Sequence, residues 1–494
     1  MVKKKIVIIG GGIAGLSAGI YGQKNGYDTE IIEMHSVPGG QCTAWDRQGY
    51  RFDYCLHWLV GTAYGPFHDI WKETDVITDN VRIVDHDVHT KVFAADGTDF
   101  TIYTSLDRWE KYLIEIAPED SATIRKMCGE MRTVSILEPF TQAPELRSPL
   151  VYLRALGKLF PALFVMRKYM KMSCREYFQQ LNFKNRRLAF FLDQLYARRD
   201  CSAMAFLMLL GWFNKKNAGY LIGGSLPFAQ RMAAKYKATG GKLTLGRQVN
   251  RIMVENDVAI GVTLADGTKI MADHVISAAD GHSTLYELLE SRYLTGEIED
   301  AYANWPLFTP QVKVSFGINR EMTTEYPLQT FLDTGKMIGT TAVTSGFSIM
   351  NYFFDPTMAP AGKTVIVLRF ESPWAIWEAL DGEAYVAEKK RIEVDAIAIL
   401  EKQLPGISAH IEVIDVATPR TAVRHTGVWQ GAYEGFMPTS KNITKRLKAT
   451  LPGLRNFYMC GQWLAPGGGL PPSAQSGKWA IQSICKKDKF RFLC

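Results

Sequence analysis

Ten residues near the amino end restrict this chain more than any other feature. Ile6-Val7-Ile8-Ile9-Gly10-Gly11-Gly12-Ile13-Ala14-Gly15 is an apolar run that breaks into a glycine turn. Such a run predicts a strand buried on both faces, as in a parallel sheet. Gly10 permits a tight turn into a helix, and Gly12 lets the backbone approach a pyrophosphate. Gly15 lets helix and strand pack closely, with Ala14 beside it in the first helical turn. A helix N-terminus aimed at the phosphates completes the site. The next strand, Asp28 to Ile32, ends in Glu33, 18 positions after Gly15. A carboxylate there accepts hydrogen bonds from ribose hydroxyls and repels a 2′-phosphate. Lys3-Lys4-Lys5 before the apolar run imitates a secretion signal, but Gly10–Gly12 interrupt it at once.

NAD and FAD both fit that turn. Two further glycine clusters favour FAD. Pro38-Gly39-Gly40-Gln41-Cys42-Thr43 follows the ribose carboxylate and lets the backbone pass beside an extended dinucleotide. Near the other end, Phe457 to Gln462 reads as a strand entering a turn. Pro466-Gly467-Gly468-Gly469-Leu470 then leads into a helix from about Pro471 to Cys485. Proline at the first helical position leaves a positive helix end, suited to negative charge on a reduced flavin. Only one dinucleotide fingerprint is present. Electrons therefore pass through the substrate, a membrane quinone, oxygen, a carrier protein or a transiently bound nicotinamide.

At 494 residues the chain exceeds the size of one core, so two domains are expected. Nucleotide-binding pattern occupies 1–75, 217–290 and 441–494. The stretches 76–216 and 291–440 are read as a second domain inserted twice. The first insert holds a hairpin turning at Asp96-Gly97 and a basic, mostly helical stretch. A helix is expected over Leu226–Thr239, then a meander turning at Asn256-Asp257 and Asp266-Gly267. Gln311–Phe316 and Thr364–Leu368 read as strands, and Glu383–Gln403 as a helix.

The order of these motifs resembles the phytoene desaturase, carotenoid isomerase and retinol saturase superfamily. Val37 to Thr43, Gly49-Tyr50-Arg51-Phe52-Asp53, Gly240-Gly241-Lys242, Arg247 to Ile252, His274 to Asp280 and Pro466 to Gly477 carry the resemblance. It implies an α/β fold: a Rossmann-type FAD-binding domain, glutathione-reductase-like and of the amine-oxidase/desaturase type, with an inserted α+β substrate domain. It also implies that the main chain of Val249 contacts the adenine and that Gly461 and Gln462 contact the flavin side. Leu470 opens the flavin-facing helix. Asp53-Tyr54-Cys55 departs from the Asp-x-Gly of many relatives. Leu56-His57-Trp58-Leu59-Val60-Gly61 resembles the retinol saturase branch, and His57 is the titratable side chain placed nearest the flavin. The competing reading of His57 is a hydrogen-bonded core residue, and Cys55 reads equally well as a packed thiol. Arg424-His425, before the last flavin block, is placed on the substrate side of the active site.

The expected activity is an FAD-dependent oxidoreduction at carbon–carbon bonds of a long apolar or polyene substrate: desaturation, saturation or isomerisation. A polyene offers few polar handles, so a shaped apolar tunnel would orient it. The alternatives are a flavin amine oxidase and a prenyl-lipid chaperone of similar architecture without FAD.

Charge adds an expected partner. Between Thr141 and Tyr220 stand 14 Lys or Arg against 4 Asp or Glu, which leaves the rest of the chain at −3. Arg154, Lys158, Lys168 and Lys171 recur at helical steps among Leu153, Leu156, Leu159, Phe160, Leu163, Phe164, Val165 and Met166. That mixture suits an anionic bilayer surface better than nucleic acid. Its bland counterpart is a cationic face over a buried lid. Pro161 predicts two short helices meeting at a bend. No run reaches the ~20 apolar residues of a spanning helix. Eight scattered cysteines without a CxxC pair read as reduced thiols in the cytoplasm, with neither zinc nor a disulfide framework.

Overall fold

The computed structural model describes residues 3–197 and 201–494, with side chains except at 153–159, 161, 196 and 197. Five parallel strands form one sheet, in the order Lys242–Thr244, Asp28–Ile32, Lys5–Ile9, His274–Ser277 and Phe457–Met459. All three sequence segments with nucleotide-binding pattern thus interleave in it. Side chains alternate along the first strand. Ile6 and Ile8 pack with helices Ile13–Lys24, Ser225–Ala238 and Leu470–Lys487 on one face. Val7 and Ile9 pack with a three-stranded meander on the other. Burial on both faces is what an unbroken aliphatic strand requires.

The meander comprises Val249–Glu255, Val258–Leu264 and Lys269–Met271. Its turns have positive φ at Asn256 (49°), Asp257 (57°) and Gly267 (83°). The helices differ from expectation by a residue or two. Pro471 and Pro472 sit inside the first turn of Leu470–Lys487, where a missing N–H breaks no helical bond.

A seven-stranded mixed sheet forms the second layer. Its order is Ile411–Ala417, Gln311–Ile318, Thr364–Glu371, Phe347–Asn351, Leu328–Leu332, Val88–Ala94 and Asp99–Tyr103. The last two strands are the hairpin closed at Asp96-Gly97, and Val88–Ala94 lies parallel to Leu328–Leu332. The two inserted stretches therefore share one sheet. Val312, Val314, Phe316 and Ile318 pack against Ile392, Ala396, Ile399 and Leu400 of helix Gly382–Gln403. The alternate residues, Gln311 and Lys313 among them, face back toward the nucleotide-binding sheet.

The basic stretch folds into helices around a separate core that includes Trp109, Met127, Tyr177 and Leu207. Pro149–Tyr169 is a single helix of 21 residues, not two meeting at Pro161. A proline deletes one main-chain bond and crowds one turn. Buried Ala162, Val165 and Tyr169 anchor the following turns to the core and keep the helix in line. The side chains of Arg154, Lys158, Leu153, Leu156, Leu159 and Pro161 lie outside the described residues.

Candidate functional site

Two helix N-termini converge on one cavity. Helices Ile13–Lys24 and Leu470–Lys487 touch so closely that a Cβ at Gly477 would stand 2.3 Å from the Ala14 carbonyl oxygen. Ser17 Oγ also donates to the Ala474 carbonyl at 2.6 Å. Gly12 and Gly469 are the N-caps, and neither offers a side-chain acceptor; the first turn of Ile13–Lys24 presents its N–H groups, whereas in Leu470–Lys487 Pro471 and Pro472 have none and Leu470 is the first-turn donor. Those donors suit an anionic ligand.

The glycines of the first turn do different things. Gly10 has φ +95°, and a Cβ at Gly15 would lie 2.0 Å from the Gly10 carbonyl oxygen. Gly15 is thus a packing residue. A Cβ at Gly12 would meet nothing nearer than Gly39 O at 3.9 Å. Gly12 is open on its ligand side. The Gly39 N–H donates to the Gly11 carbonyl at 2.9 Å and locks the second glycine turn beside the first. Glu33 is buried and accepts from the Gly11 N–H (2.6 Å) and the His35 N–H (2.8 Å). Burial raises its pKa despite these bonds. Each oxygen keeps a second lone pair for a hydroxyl donor.

The cavity, about 1020 Å³, is lined by Gly10, Gly12, Ala14, Glu33, Gly39, Gly40, Gln41, Val249, Gly461, Gln462, Gly468, Gly469 and Leu470, and also by His57. The structure brings all these together. It does not bring Arg424 to the cavity. Helix Pro419–Thr426 turns Val423 and Thr426 inward and Arg424 to solvent. There Arg424 donates to His425 Nε2 at 3.1 Å, and His425 Nδ1 stands 3.2 Å from His35 Nε2. That cluster adjoins the Glu33 end of the cavity.

His57 sits at the other end. Arg369 donates to its Nε2 at 3.3 Å, so its Nδ1 carries the proton and donates to the Cys55 carbonyl at 2.9 Å. Burial, then Arg369 and Lys313, hold the His57 pKa well below 6.5 and keep the ring neutral. Asp53 replaces the missing glycine turn with side-chain acceptance. Its carboxyl takes the N–H groups of Cys55, Leu56 and Ser225 and the Ser225 hydroxyl.

Sequence reasoning missed a polar wall beside His57. Lys313 and Arg369 are directly opposed on adjacent antiparallel strands and both line the cavity. Like charges so placed repel. Burial, then Arg369, push Lys313 down to about 8. Its ammonium donates to the Tyr54 carbonyl and lies 4.6 Å from the Tyr54 ring centroid. Glu434, also on the cavity, is pushed up to about 7 by burial against the pull of Lys313. A Cβ at Gly469 would be 3.5 Å from Glu434 Oε1, so this carboxyl stands at the N-terminus of Leu470–Lys487. The only hint in the sequence was Lys313 at an alternating position of a strand. Beyond the polar wall the lining is largely apolar, with Phe206, Leu209 and Trp212 of helix Ala203–Asn214 and with Leu328, Leu332 and Phe347, interrupted by Thr90, Gln194 and Thr330.

The residues present fit FAD. Gly12 leaves room for a phosphate, Glu33 keeps acceptor capacity, and Gln41 Oε1 is buried without a hydrogen-bond partner among the described residues. A dinucleotide cradle that runs from a ribose carboxylate to a second helix N-terminus, then into a chamber, defines a flavin-dependent oxidoreductase. The chain belongs to the flavin-containing amine oxidoreductase family, whose profile matches residues 13–484. It is 25% identical to the neurosporene-forming phytoene desaturase of Cereibacter sphaeroides, over 94% of this chain and 92% of that protein. It is 24% identical to the chloroplastic prolycopene isomerase of Arabidopsis thaliana, over 95% of this chain and 81% of that protein. An oxidoreductase from Methanosarcina mazei shares the fold with a TM-score of 0.62 at 16% identity, covering 97% of this chain and all of that one. The cofactor is FAD, and the protein is an FAD-dependent oxidoreductase.

Proposed function

We propose that the protein acts on carbon–carbon double or single bonds of a lipophilic, extended substrate such as a polyene. One observation carries this reading. A single cavity joins the dinucleotide cradle to a chamber walled by Phe206, Leu209, Trp212, Leu328, Leu332 and Phe347. Such a wall orients a chain by shape rather than by polar contacts. The near full-length relatives named above act on polyenes by their names, which supports the same class. Bound FAD supplies a two-electron acceptor or donor for such a bond.

The chain's own residues supply binding and proton handling. The glycine turns and Glu33 hold the dinucleotide, and the positive dipole end of Leu470–Lys487, with the Leu470 N–H, favours negative charge beside Gly469. His57, neutral and bonded to Arg369, is a positioning residue that fixes the guanidinium on the chamber wall. Glu434 and Lys313 have affinities for the proton near neutrality and stand where one is to be held or released. The test is anaerobic incubation of the flavin-loaded protein with acyclic polyenes and, separately, with amines. Bleaching of the flavin band, or an isomerised product, is expected with polyenes only. Peroxide release from amines in air, without polyene turnover, would refute the assignment.

Substrate is drawn from an anionic membrane surface in this reading. Phe160 and Phe164 on helix Pro149–Tyr169 are 78% and 74% exposed, and Arg167, Lys168 and Lys171 are exposed beside them. Among the described residues no helix is long and apolar enough to cross a membrane. Each cation contributes roughly 1 kcal/mol near an anionic surface, so reversible attachment is in range.

A further inference from the structure

Two thiols outside the chemistry above face each other where the helical stretch meets the cavity. Ser173 and Ser202 form an isolated antiparallel bridge. The Cys174 N–H donates to the Cys201 carbonyl at 2.8 Å, and the Ala203 N–H to the Met172 carbonyl at 2.9 Å. In that register Cys174 stands directly opposite Cys201. Opposed residues of an antiparallel pair have Cα atoms about 4.5–5.5 Å apart. A disulfide spans about 4.4–6.8 Å between Cα atoms. The two Sγ atoms are 2.9 Å apart.

The thiols differ in access. Cys174 is fully buried at the start of helix Cys174–Leu181, whereas Cys201 is half-buried and lines the cavity. The main chain around Cys201 is joined to the other wall of the site. Cys201 bridges Thr439, and the Ser202 N–H donates to the Pro438 carbonyl at 3.0 Å. Pro438 lines the cavity and would lie 3.6 Å from a Cβ at Gly467, in the glycine turn before the last helix. Between the two cysteines in sequence, Gln194 and Leu195 also line the cavity.

We propose that Cys174 and Cys201 form a reversible disulfide that stiffens this wall of the cavity. The oxidant is a low-molecular-weight disulfide. The Cys201 thiolate attacks it, forming a mixed disulfide and expelling one small thiolate. The Cys174 thiolate then attacks the Cys201 sulfur and expels the second. One protein S–S bond forms and one small S–S bond breaks, and the protons of the two protein thiols pass to the two released thiolates. Closing the loop between the cysteines removes open conformations from the segment that carries Gln194 and Leu195.

The probe is a redox buffer of 2-hydroxyethyl disulfide and 2-mercaptoethanol, applied to the full-length, flavin-loaded protein. After acid quench, remaining thiols are alkylated in denaturant and the protein is weighed and mapped. As the buffer becomes oxidising, we expect two of the eight thiols to vanish together, with loss of two hydrogens and one cross-linked peptide pair containing Cys174 and Cys201. Cys201→Ser should abolish the cross-link. Cys174→Ala, which suits the apolar surroundings better than Ser, should leave only a mixed disulfide on Cys201. In the oxidised wild type, amide exchange at 193–195 and 201–203 should slow at least tenfold, with no change in Cys201→Ser. Alkylation of all eight thiols at every ratio, arrest at a mixed disulfide in the wild type, or a cross-link between Cys42 and Cys55 instead would overturn the proposal. A cross-link without slowed exchange would overturn the stiffening.

Discussion

Gly12→Ala separates cofactor binding from folding. Gly12 has φ −70°, an ordinary value for any residue, and among the described residues its new Cβ would approach no atom closer than 3.9 Å. The apoprotein should therefore keep its stability within about 1 kcal/mol, with a small gain from a less flexible unfolded chain. The methyl group instead occupies the ligand side of the turn. A phosphate oxygen held by backbone N–H groups must retreat, which weakens one or two charge-assisted hydrogen bonds of about 1.5–3 kcal/mol each. A loss of about 3 kcal/mol raises Kd roughly 100-fold. Gly15→Ala is the control with the opposite signature. Its Cβ would stand 2.0 Å from the Gly10 carbonyl oxygen. The strand and helix must then part, at a cost of about 3 kcal/mol or more to the apoprotein itself. Titrating FAD into each apoprotein by flavin-fluorescence quenching, with thermal unfolding of the same samples, reads both quantities. Gly12→Ala with wild-type Kd, or with an apoprotein as unstable as Gly15→Ala, would refute the assignment of this turn to the pyrophosphate.

Other perturbations probe the far end of the cavity and the surface. His57→Ala removes one acceptor of Arg369, which also donates to Ser348 Oγ at 2.9 Å, and should slow flavin reduction by substrate at least tenfold, with flavin content and Tm nearly unchanged; His57→Gln, which keeps an acceptor, should recover part of the rate. Equal loss of rate, flavin and Tm would mark His57 as packing. Burial lowers His89 to about 4, so the unfolded chain binds its proton more tightly. The stability this contributes is present above pH 6.5 and is lost as pH falls toward 4. Across that window, denaturant unfolding should show wild type losing ground to His89→Phe, with an upper bound of about 3 kcal/mol. A pH-independent gap would refute the shift. Liposome flotation should require anionic lipid and weaken in high salt. It should also fall when Lys168 and Lys171 become Gln or when Phe160 and Phe164 become Ser. Indifference to all of these would leave that helix an ordinary solvated face.

The two ends of the cavity were unequally legible in the sequence, and the reason is physical. A dinucleotide is held largely by backbone, and backbone geometry is written locally. Gly10, Gly12 and Gly15 lie within one turn, Glu33 ends the adjoining strand, and Gly468 and Gly469 directly precede the helix they cap. Short-range patterns therefore located both helix N-termini and the central sheet, while the merging of the two inserted stretches rests on a parallel pairing of Val88–Ala94 with Leu328–Leu332. The substrate end is made of side chains that meet only through long-range pairing. Lys313 and Arg369 are neighbours because one antiparallel register aligns them. Arg369 reaches His57 across 312 positions of sequence. No local pattern distinguishes Lys313, which faces the cavity, from a lysine on a solvated strand edge. Arg424 shows the converse. Its place before the last glycine block suggested the substrate side, yet one step along helix Pro419–Thr426 turns Val423 inward and Arg424 out. Side-chain direction changes by about 100° per helical residue. A position known only to within a residue therefore cannot decide whether a charge lines the chamber. The neutral, hydrogen-bonded His57 follows from the same logic: its ring is fixed by Arg369 and the Cys55 carbonyl together, one distant and one local, and only the local partner lay within reach of the sequence.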